Sequence, residues 1–139
     1  MDRIIPFVAA LWAGALLGGS FIAAPAKFTV EALALPELLA VGQAQFQALA
    51  VAELLLAIVL VGVAIWRRPV RWWLVLVPVI IFAEQQLMIY PALDARTEAR
   101  IAGQAVGESH LHLIYVALEG VKFLSLVALA FYLGRGRPA

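Results

Sequence analysis

The stretch ELLAVGQAQFQALAVAELLLAIVLVGVAIW (37–66) decides the fold of this chain. It holds only two charged side chains, Glu37 at its start and Glu53 near its middle, and it follows Pro36, which suits the first turn of a helix. A helix needs about 20 apolar residues to cross the hydrocarbon core of a bilayer, because each residue adds about 1.5 Å of length. The stretch therefore predicts a membrane-spanning helix.

Three further apolar stretches are long enough to span a bilayer. Of the 139 residues, 65% are hydrophobic and only 14% are charged, whereas soluble domains carry about 45–50% apolar and about 25% charged residues. Neither a repeat nor a shift in composition marks a second domain. We predict an all-α four-helix transmembrane bundle that forms one integral membrane domain over 1–139, with helices at roughly 4–24, 37–66, 72–90 and 110–133.

Several functional classes are excluded by composition and motif content. The net charge is +1, and the chain has no basic run, so we expect no nucleic-acid partner. With no cysteine, disulfides and thiolate metal sites are impossible. Phosphate loops, nucleophile elbows and HExxH patterns do not occur in the sequence. The sequence thus identifies no catalytic residue and requires no cofactor, and it leaves open whether the protein is an enzyme.

The distribution of arginine and lysine predicts the orientation. Cytoplasmic connections carry an excess of these residues. Four spans would divide these residues unequally between the two sides of the membrane. Lys27, Arg96 and Arg100 would lie on one side. The other side would carry one acid, Asp2, and six arginines, which are Arg3, Arg67, Arg68, Arg71, Arg135 and Arg137. We therefore expect both termini in the cytoplasm, in the inner (plasma) membrane of a bacterium. The second outer connection (91–109) begins with good helix formers, so we expect helix three to continue past the membrane or to be followed by an interfacial helix, ending near Gly103.

A polar stripe on the fourth helix is the main functional signal. Its five residues fall within roughly 80° of the helix circumference, because successive residues are about 100° apart; they are Glu108, His112, Tyr115, Glu119 and Lys122. Ionisable groups inside a span are costly and face protein or water. We predict that they meet polar residues of helices two and three in an outward-leaning cavity. The predicted cluster comprises Gln43, Gln47, Glu53, Glu84, His112, Tyr115, Glu119 and Lys122.

The predicted cluster has four chemical interpretations. Glu53 or Glu119 could simply pair with Lys122 and fix the helix register. Alternatively, an excess of carboxyls over lysine in a low-dielectric site would make a proton or cation site, with Glu119 as its centre. A metal centre built from Glu53, Glu84, His112 and Glu119 is the third, although the usual Glu-x-x-His pair of helical metal sites is missing. A haem with a single axial histidine, or one shared between subunits, also stays open.

The order of these features resembles a known family. ALWAG (10–14) leading to FIAAP (21–25), Phe46 on a polar helix start, a proline-to-arginine segment (91–96) and a histidine on helix four carry the resemblance. They are similar to the small four-span membrane proteins grouped as transmembrane-protein-205-like, which occur in bacteria and eukaryotes. The resemblance covers most of the chain. It implies a helical bundle and little mechanism.

The leading interpretation is therefore an ion- or small-molecule-handling membrane protein with proton- or cation-linked transport. Four helices are few for a pore, so we expect a homo-oligomer or a larger membrane complex in the lipid bilayer. Two alternatives stay open. One is an intramembrane metal-binding, redox or lipid-modifying enzyme, and the other is an accessory subunit of a larger membrane complex.

Overall fold

Four long apolar helices make up most of the chain. The computed structural model describes residues 3–68 and 71–135, so Asp2 and Arg137, which entered the orientation argument, lie outside the described residues. Within them the helices are α1 (Ile4–Thr29), α2 (Leu35–Arg67), α3 (Trp72–Ile101) and α4 (Leu111–Gly134), and each is long and apolar enough to cross a membrane. The predicted all-α architecture with four spans is confirmed. The orientation stays a prediction.

Local chemistry explains where the helices begin and end. Glu37 Oε2 accepts the backbone N–H of Ala34 at 2.7 Å, which satisfies one of the free donors at the start of α2. Arg68, directly after α2, has a left-handed backbone with φ 41°. The third helix continues well beyond the predicted span to Ile101, and Gly103 follows with φ 74°, a backbone conformation that glycine adopts freely.

Packing around α1 organises the bundle. This helix contacts α4 most extensively and also packs against α2, while α3 contacts α2 and α4. Trp12, Leu16, Leu60 and Leu126 are fully buried at the centre of the core. The outer surface is apolar as well, with residues such as Phe7 and Leu87 exposed. An apolar outer surface of this kind is what a lipid environment requires, and polar contacts and close packing must then specify the interior.

Two of the helices contain π-helical segments. One spans Leu17–Ala23 in α1 and the other spans Gln85–Ile89 in α3. The first includes Gly18, Gly19 and Ser20, and the side-chain amide of Gln45 on α2 donates to the Gly19 carbonyl at 2.6 Å. Such segments are rare inside α-helices and often occur at functional sites, because they redirect side chains and free backbone groups. Both segments adjoin the buried polar cluster described next.

Candidate functional site

A fully buried ion triad lies at the centre of the bundle. The ammonium Nζ of Lys122, near the middle of α4, is 2.6 Å from Glu53 Oε2 on α2 and 2.7 Å from Glu119 Oε2 one turn earlier on α4. The exposed fractions of the three residues are 0%, 1% and 2%. Both are close ion pairs. Their angles do not meet the criteria of a hydrogen bond, so the buried ammonium has no hydrogen-bond partner among the described residues. We call Glu53, Glu119 and Lys122 the triad.

Three neutral donors from the other helices complete the triad's surroundings. The indole N–H of Trp12 on α1 donates to Glu53 Oε2 at 2.8 Å. The hydroxyl of Ser20, also on α1, donates to Glu119 Oε1 at 2.7 Å. The amide of Gln85 on α3 donates to Glu119 Oε2 at 3.3 Å and to the Tyr115 carbonyl at 3.2 Å. Each of the four helices therefore contributes to one polar network.

Aromatic rings shield this network from the bilayer. The Lys122 ammonium lies 5.4 Å from the centre of the Phe82 ring, within range of a favourable cation–π contact. Trp12 packs edge-on against Phe82, with the ring centres 6.0 Å apart. Neither the apolar groove between α2 and α3 nor the small cavity beside Arg96 and Arg100 is lined by a triad residue. Because the three triad residues are at most 2% exposed, they lie in a low-dielectric interior, where charge interactions are strong.

The charges of the triad do not balance. Two carboxyls face one ammonium, so the fully ionised triad carries one net negative charge. The side-chain carbonyl oxygen of Gln85 is buried and has no hydrogen-bond partner among the described residues. A single added proton would neutralise the triad and supply one further O–H donor to a region that still holds an open acceptor.

The other residues of the predicted cluster lie elsewhere. Tyr115 is buried above the triad, with its ring edge-on to Phe46 at 6.0 Å. Gln43 donates to Asp94 Oδ1 on α3 at 2.8 Å. The remaining three, Gln47, Glu84 and His112, are exposed, so the structure does not bring all eight residues into one outward-leaning cavity.

The rotation of α3 explains the position of Glu84. The buried residues in this part of α3 lie on one face of the helix, and they are Pro78, Phe82, Gln85 and Ile89. Glu84 precedes Gln85 by a single residue, about 100° around the axis, and therefore points away from the core. Within residues 3–68 and 71–135, no three histidine, aspartate or glutamate side chains come together as a metal site. The predicted combination of Glu53, Glu84, His112 and Glu119 is not assembled.

Three residues of the network were absent from the predicted cluster, namely Trp12, Ser20 and Gln85. Each is neutral, whereas the predicted cluster is centred on charged side chains inside spans. A signal did exist, because an indole N–H, a hydroxyl or an amide inside a span also needs a partner where water is absent. Ser20 and Gln85 in addition lie in the two π-helical segments.

Comparison with known proteins returns no match to this chain among family models, curated proteins or solved structures. The resemblance to the transmembrane-protein-205-like family therefore stays a prediction.

Proposed function

We propose that this protein is a proton-linked membrane carrier of a small molecule or ion, in which the triad takes up and releases one proton. The observation that carries this proposal is the buried excess of one carboxyl over the Lys122 ammonium. In a membrane interior, a carboxyl that can exchange a proton marks a proton-relay or coupling site. Glu119 is the proposed proton carrier, and Lys122 and Glu53 set its charge environment.

The donors to Glu119 support a coupling role. Ser20 and Gln85, which both donate to this carboxyl, lie in the π-helical segments of α1 and α3. A π-helical segment can return to α-helical hydrogen bonding by a small shift of register, which turns the side chains beyond it. Neutralising Glu119 weakens its hold on both donors. Protonation would then favour a different arrangement of α1 and α3 against α4.

A second copy of the chain is the proposed partner. Glu84 is exposed in the middle of a span, where a charged side chain facing acyl chains is costly. Beside it, an apolar groove of about 710 Å³ runs between α2 and α3, with small residues at Ala50, Ala57 and Gly62. Covering this face with another copy would remove Glu84 from lipid.

The absence of native cysteines permits a direct test. We expect Met88→Cys, on this face, to form cross-linked dimers in membranes, and Phe7→Cys, exposed on α1, to form none.

The remaining topological proposal is that both termini lie in the cytoplasm of an inner membrane. It is supported by Arg3, Arg67, Arg71 and Arg135 at one end of the bundle and by Trp66, Trp72 and Trp73 at the same level. Single cysteines next to Arg71 and in the α3–α4 connection should react with an impermeant maleimide on opposite sides of right-side-out vesicles. Labelling of both from the same side would contradict the four-span arrangement in the membrane.

Proton flux through reconstituted protein tests the function directly. We expect liposomes that contain the protein and a trapped pH-sensitive dye to take up protons when a potassium diffusion potential makes their interior negative. Glu119→Gln should abolish this flux, because a side-chain amide does not ionise near neutral pH and so cannot release and rebind a proton as a carboxyl does. Glu31→Gln, in the exposed α1–α2 connection, is the matched control and should retain it.

A second measurement is independent of proton movement across the membrane. Infrared difference spectra across a pH titration should show a carboxylic-acid C=O band that disappears in Glu119→Gln and persists in Glu31→Gln. The proton-carrier proposal would be wrong if the wild-type protein showed neither proton flux nor a carboxylic-acid C=O band from Glu119 that changes with pH.

One observation favours a second candidate function, an accessory subunit in which the triad only fixes helix register. Donors from α1 and α3 and the Lys122 ammonium already contact both carboxyls, and neither described cavity reaches the triad. A buried polar network can specify one packing arrangement without any turnover. In that case Glu119→Gln would reduce stability, the infrared band would be missing, and a stoichiometric partner protein would accompany the chain through purification.

A further inference from the structure

A second polar site lies at the other end of the polar stripe, where α3 extends past the predicted span and α4 begins. It is a small cavity of about 50 Å³, lined by Leu93, Arg96, Thr97, Arg100, Ser109 and His112. We call it the outer pocket. It shares no residue with the triad, so a ligand bound there would be independent of the proposed proton transfer.

The helical spacing explains why two arginines meet here. Leu93, Arg96, Thr97 and Arg100 follow the i, i+3, i+4, i+7 pattern and share one face of α3. The connection then folds back, so that Ser109 and His112 close the other side. The guanidinium of Arg96 donates through Nη2 to the Gly107 carbonyl, which fixes this side chain across the connection.

The pocket is cationic and lacks an internal counter-charge. No acidic residue lines it, and neither Arg96 nor Arg100 forms an ion pair within residues 3–68 and 71–135. The nearest acids are Asp94 and Glu98 on α3 and Glu108 directly before Ser109, and none of them forms an ion pair with either arginine. Asp94 accepts from Gln43, and Glu98 is exposed about 200° around the helix from each arginine.

Most polar groups around the pocket can donate hydrogen bonds. A guanidinium offers five N–H donors, of which Arg96 spends one on Gly107. Ser109 Oγ accepts the backbone N–H of Leu111 at 3.2 Å, which leaves its own hydroxyl hydrogen free. Free backbone N–H groups at the first turn of α4 add positive potential. Thr97 is different, since its hydroxyl already donates to Leu93.

We propose that the outer pocket binds a phosphate group. Two arginines, a serine hydroxyl and an imidazole match the several acceptor oxygens of a phosphate, which guanidinium groups bind in a bidentate manner. The cavity admits one compact group, and is far smaller than the about 300–1,000 Å³ of sites for whole drug-sized ligands. The phosphate belongs either to a lipid headgroup, because the pocket lies where a span meets the membrane surface, or to free inorganic phosphate.

Binding of both phosphate sources to the full-length protein tests the proposal. Inorganic phosphate is titrated into protein in a phosphate-free maltoside detergent, followed by ³¹P line broadening. Phosphatidylglycerol is added in a second arm, and its retention is read by native mass spectrometry. The variants are Arg96→Gln/Arg100→Gln and, as matched control, Arg67→Gln/Arg71→Gln, which removes two arginines from the opposite end of the bundle.

We expect the wild type and the control pair to bind at least one phosphate source equally, and Arg96→Gln/Arg100→Gln to bind it at least 10-fold more weakly. Retention of phosphatidylglycerol without response to inorganic phosphate identifies the lipid headgroup as the source. A response to inorganic phosphate identifies the free anion. Arg96→Lys/Arg100→Lys keeps the charge and should restore only part of the binding, because lysine cannot bind two oxygens in one plane.

Two results would overturn the proposal. One is that the wild type binds neither source. The other is that the Arg96→Gln/Arg100→Gln and Arg67→Gln/Arg71→Gln pairs lose binding to the same extent, which would mean general charge attraction only. The wild-type titration and the lysine pair keep the test decisive even if the glutamine pair fails to fold.

Discussion

The triad and the outer pocket occupy two ends of the same polar stripe on α4, and they handle charge in opposite ways. In the triad, Lys122 is sealed from solvent and held between two carboxyls at 2.6 and 2.7 Å. In the outer pocket, Arg96 and Arg100 line a cavity without an acid among its lining residues. The first arrangement satisfies its charges internally except for one surplus carboxyl. The second has no acid among its lining residues and is open to an anion from outside the described chain.

The difference follows from depth in the membrane. A charge near the middle of a span has no water to solvate it, so its counter-charge must come from the protein itself. At the membrane surface, water and lipid headgroups can supply it, so cations can stay unpaired at low cost. The same helix face therefore holds a closed ion network at one level and an open binding site about two turns away.

The largest loss of stability should follow from removing the cation of the triad. Lys122→Met leaves two carboxyls buried without a counter-charge, and we expect the free energy of unfolding to fall by about 3–5 kcal/mol. Detergent-induced unfolding followed by circular dichroism measures this loss. Replacing all three members, as Glu53→Gln/Glu119→Gln/Lys122→Met, should recover most of it. Equal instability of the single and triple variants would show that packing, and not unpaired charge, dominates.

A smaller effect is expected from the aromatic donor. Trp12→Phe keeps most of the buried ring volume but leaves Glu53 without its indole donor at 2.8 Å. Loss of a hydrogen bond to a charged group should reduce the free energy of unfolding by about 1.5–3 kcal/mol. Trp73→Phe, with Trp73 54% exposed, is the control and should change little. A Trp12→Phe protein as stable as this control would mean that the indole contributes only volume.

The smallest effect should come from the outer pocket. In phosphate-free detergent, Arg96→Gln/Arg100→Gln should change the free energy of unfolding by less than about 1 kcal/mol, because neither side chain has an ion-pair partner to lose and the Arg96–Gly107 hydrogen bond is exposed to solvent. The same unfolding assay applies. A large loss of stability without ligand would assign the arginines a structural role like that of Lys122, and the contrast between the two regions would disappear.

The fold could be predicted from length and hydropathy because a membrane span has few alternatives to a long helix. The grouping of Tyr115, Glu119 and Lys122 on one face also followed from helical spacing within a single element. The rotation of α3 did not. It is apolar on most sides, so periodicity does not distinguish Gln85 from Glu84 as the inward residue. The packing of Pro78, Phe82 and Ile89 determines which face of α3 points inward. Contacts between helices cannot be predicted from the periodicity of one helix.

The outer pocket was hidden for a related reason. Spacing along the chain does not predict that Arg96 and Arg100 meet His112, which we predict from the sequence to lie in the deeper cluster. Their meeting depends on how the connection between α3 and α4 folds back. There Arg96 donates to the Gly107 carbonyl across the connection, and Ser109 accepts the backbone N–H of Leu111 at the start of α4. Residues on one helix can be grouped from spacing alone, whereas residues grouped by a loop require the structure.

The contact between Trp12 and Glu53 gives the protein an internal optical reporter. Trp12 is the buried tryptophan of the described chain, whereas Trp66, Trp72 and Trp73 are exposed. A protonated carboxyl quenches indole emission more efficiently than a carboxylate, and a change in the local field shifts its wavelength. With the three exposed tryptophans replaced by phenylalanine, the emission of Trp12 would follow the charge of the triad in real time. The native arrangement of side chains thus allows its electrostatic state to be recorded by fluorescence, without any attached dye.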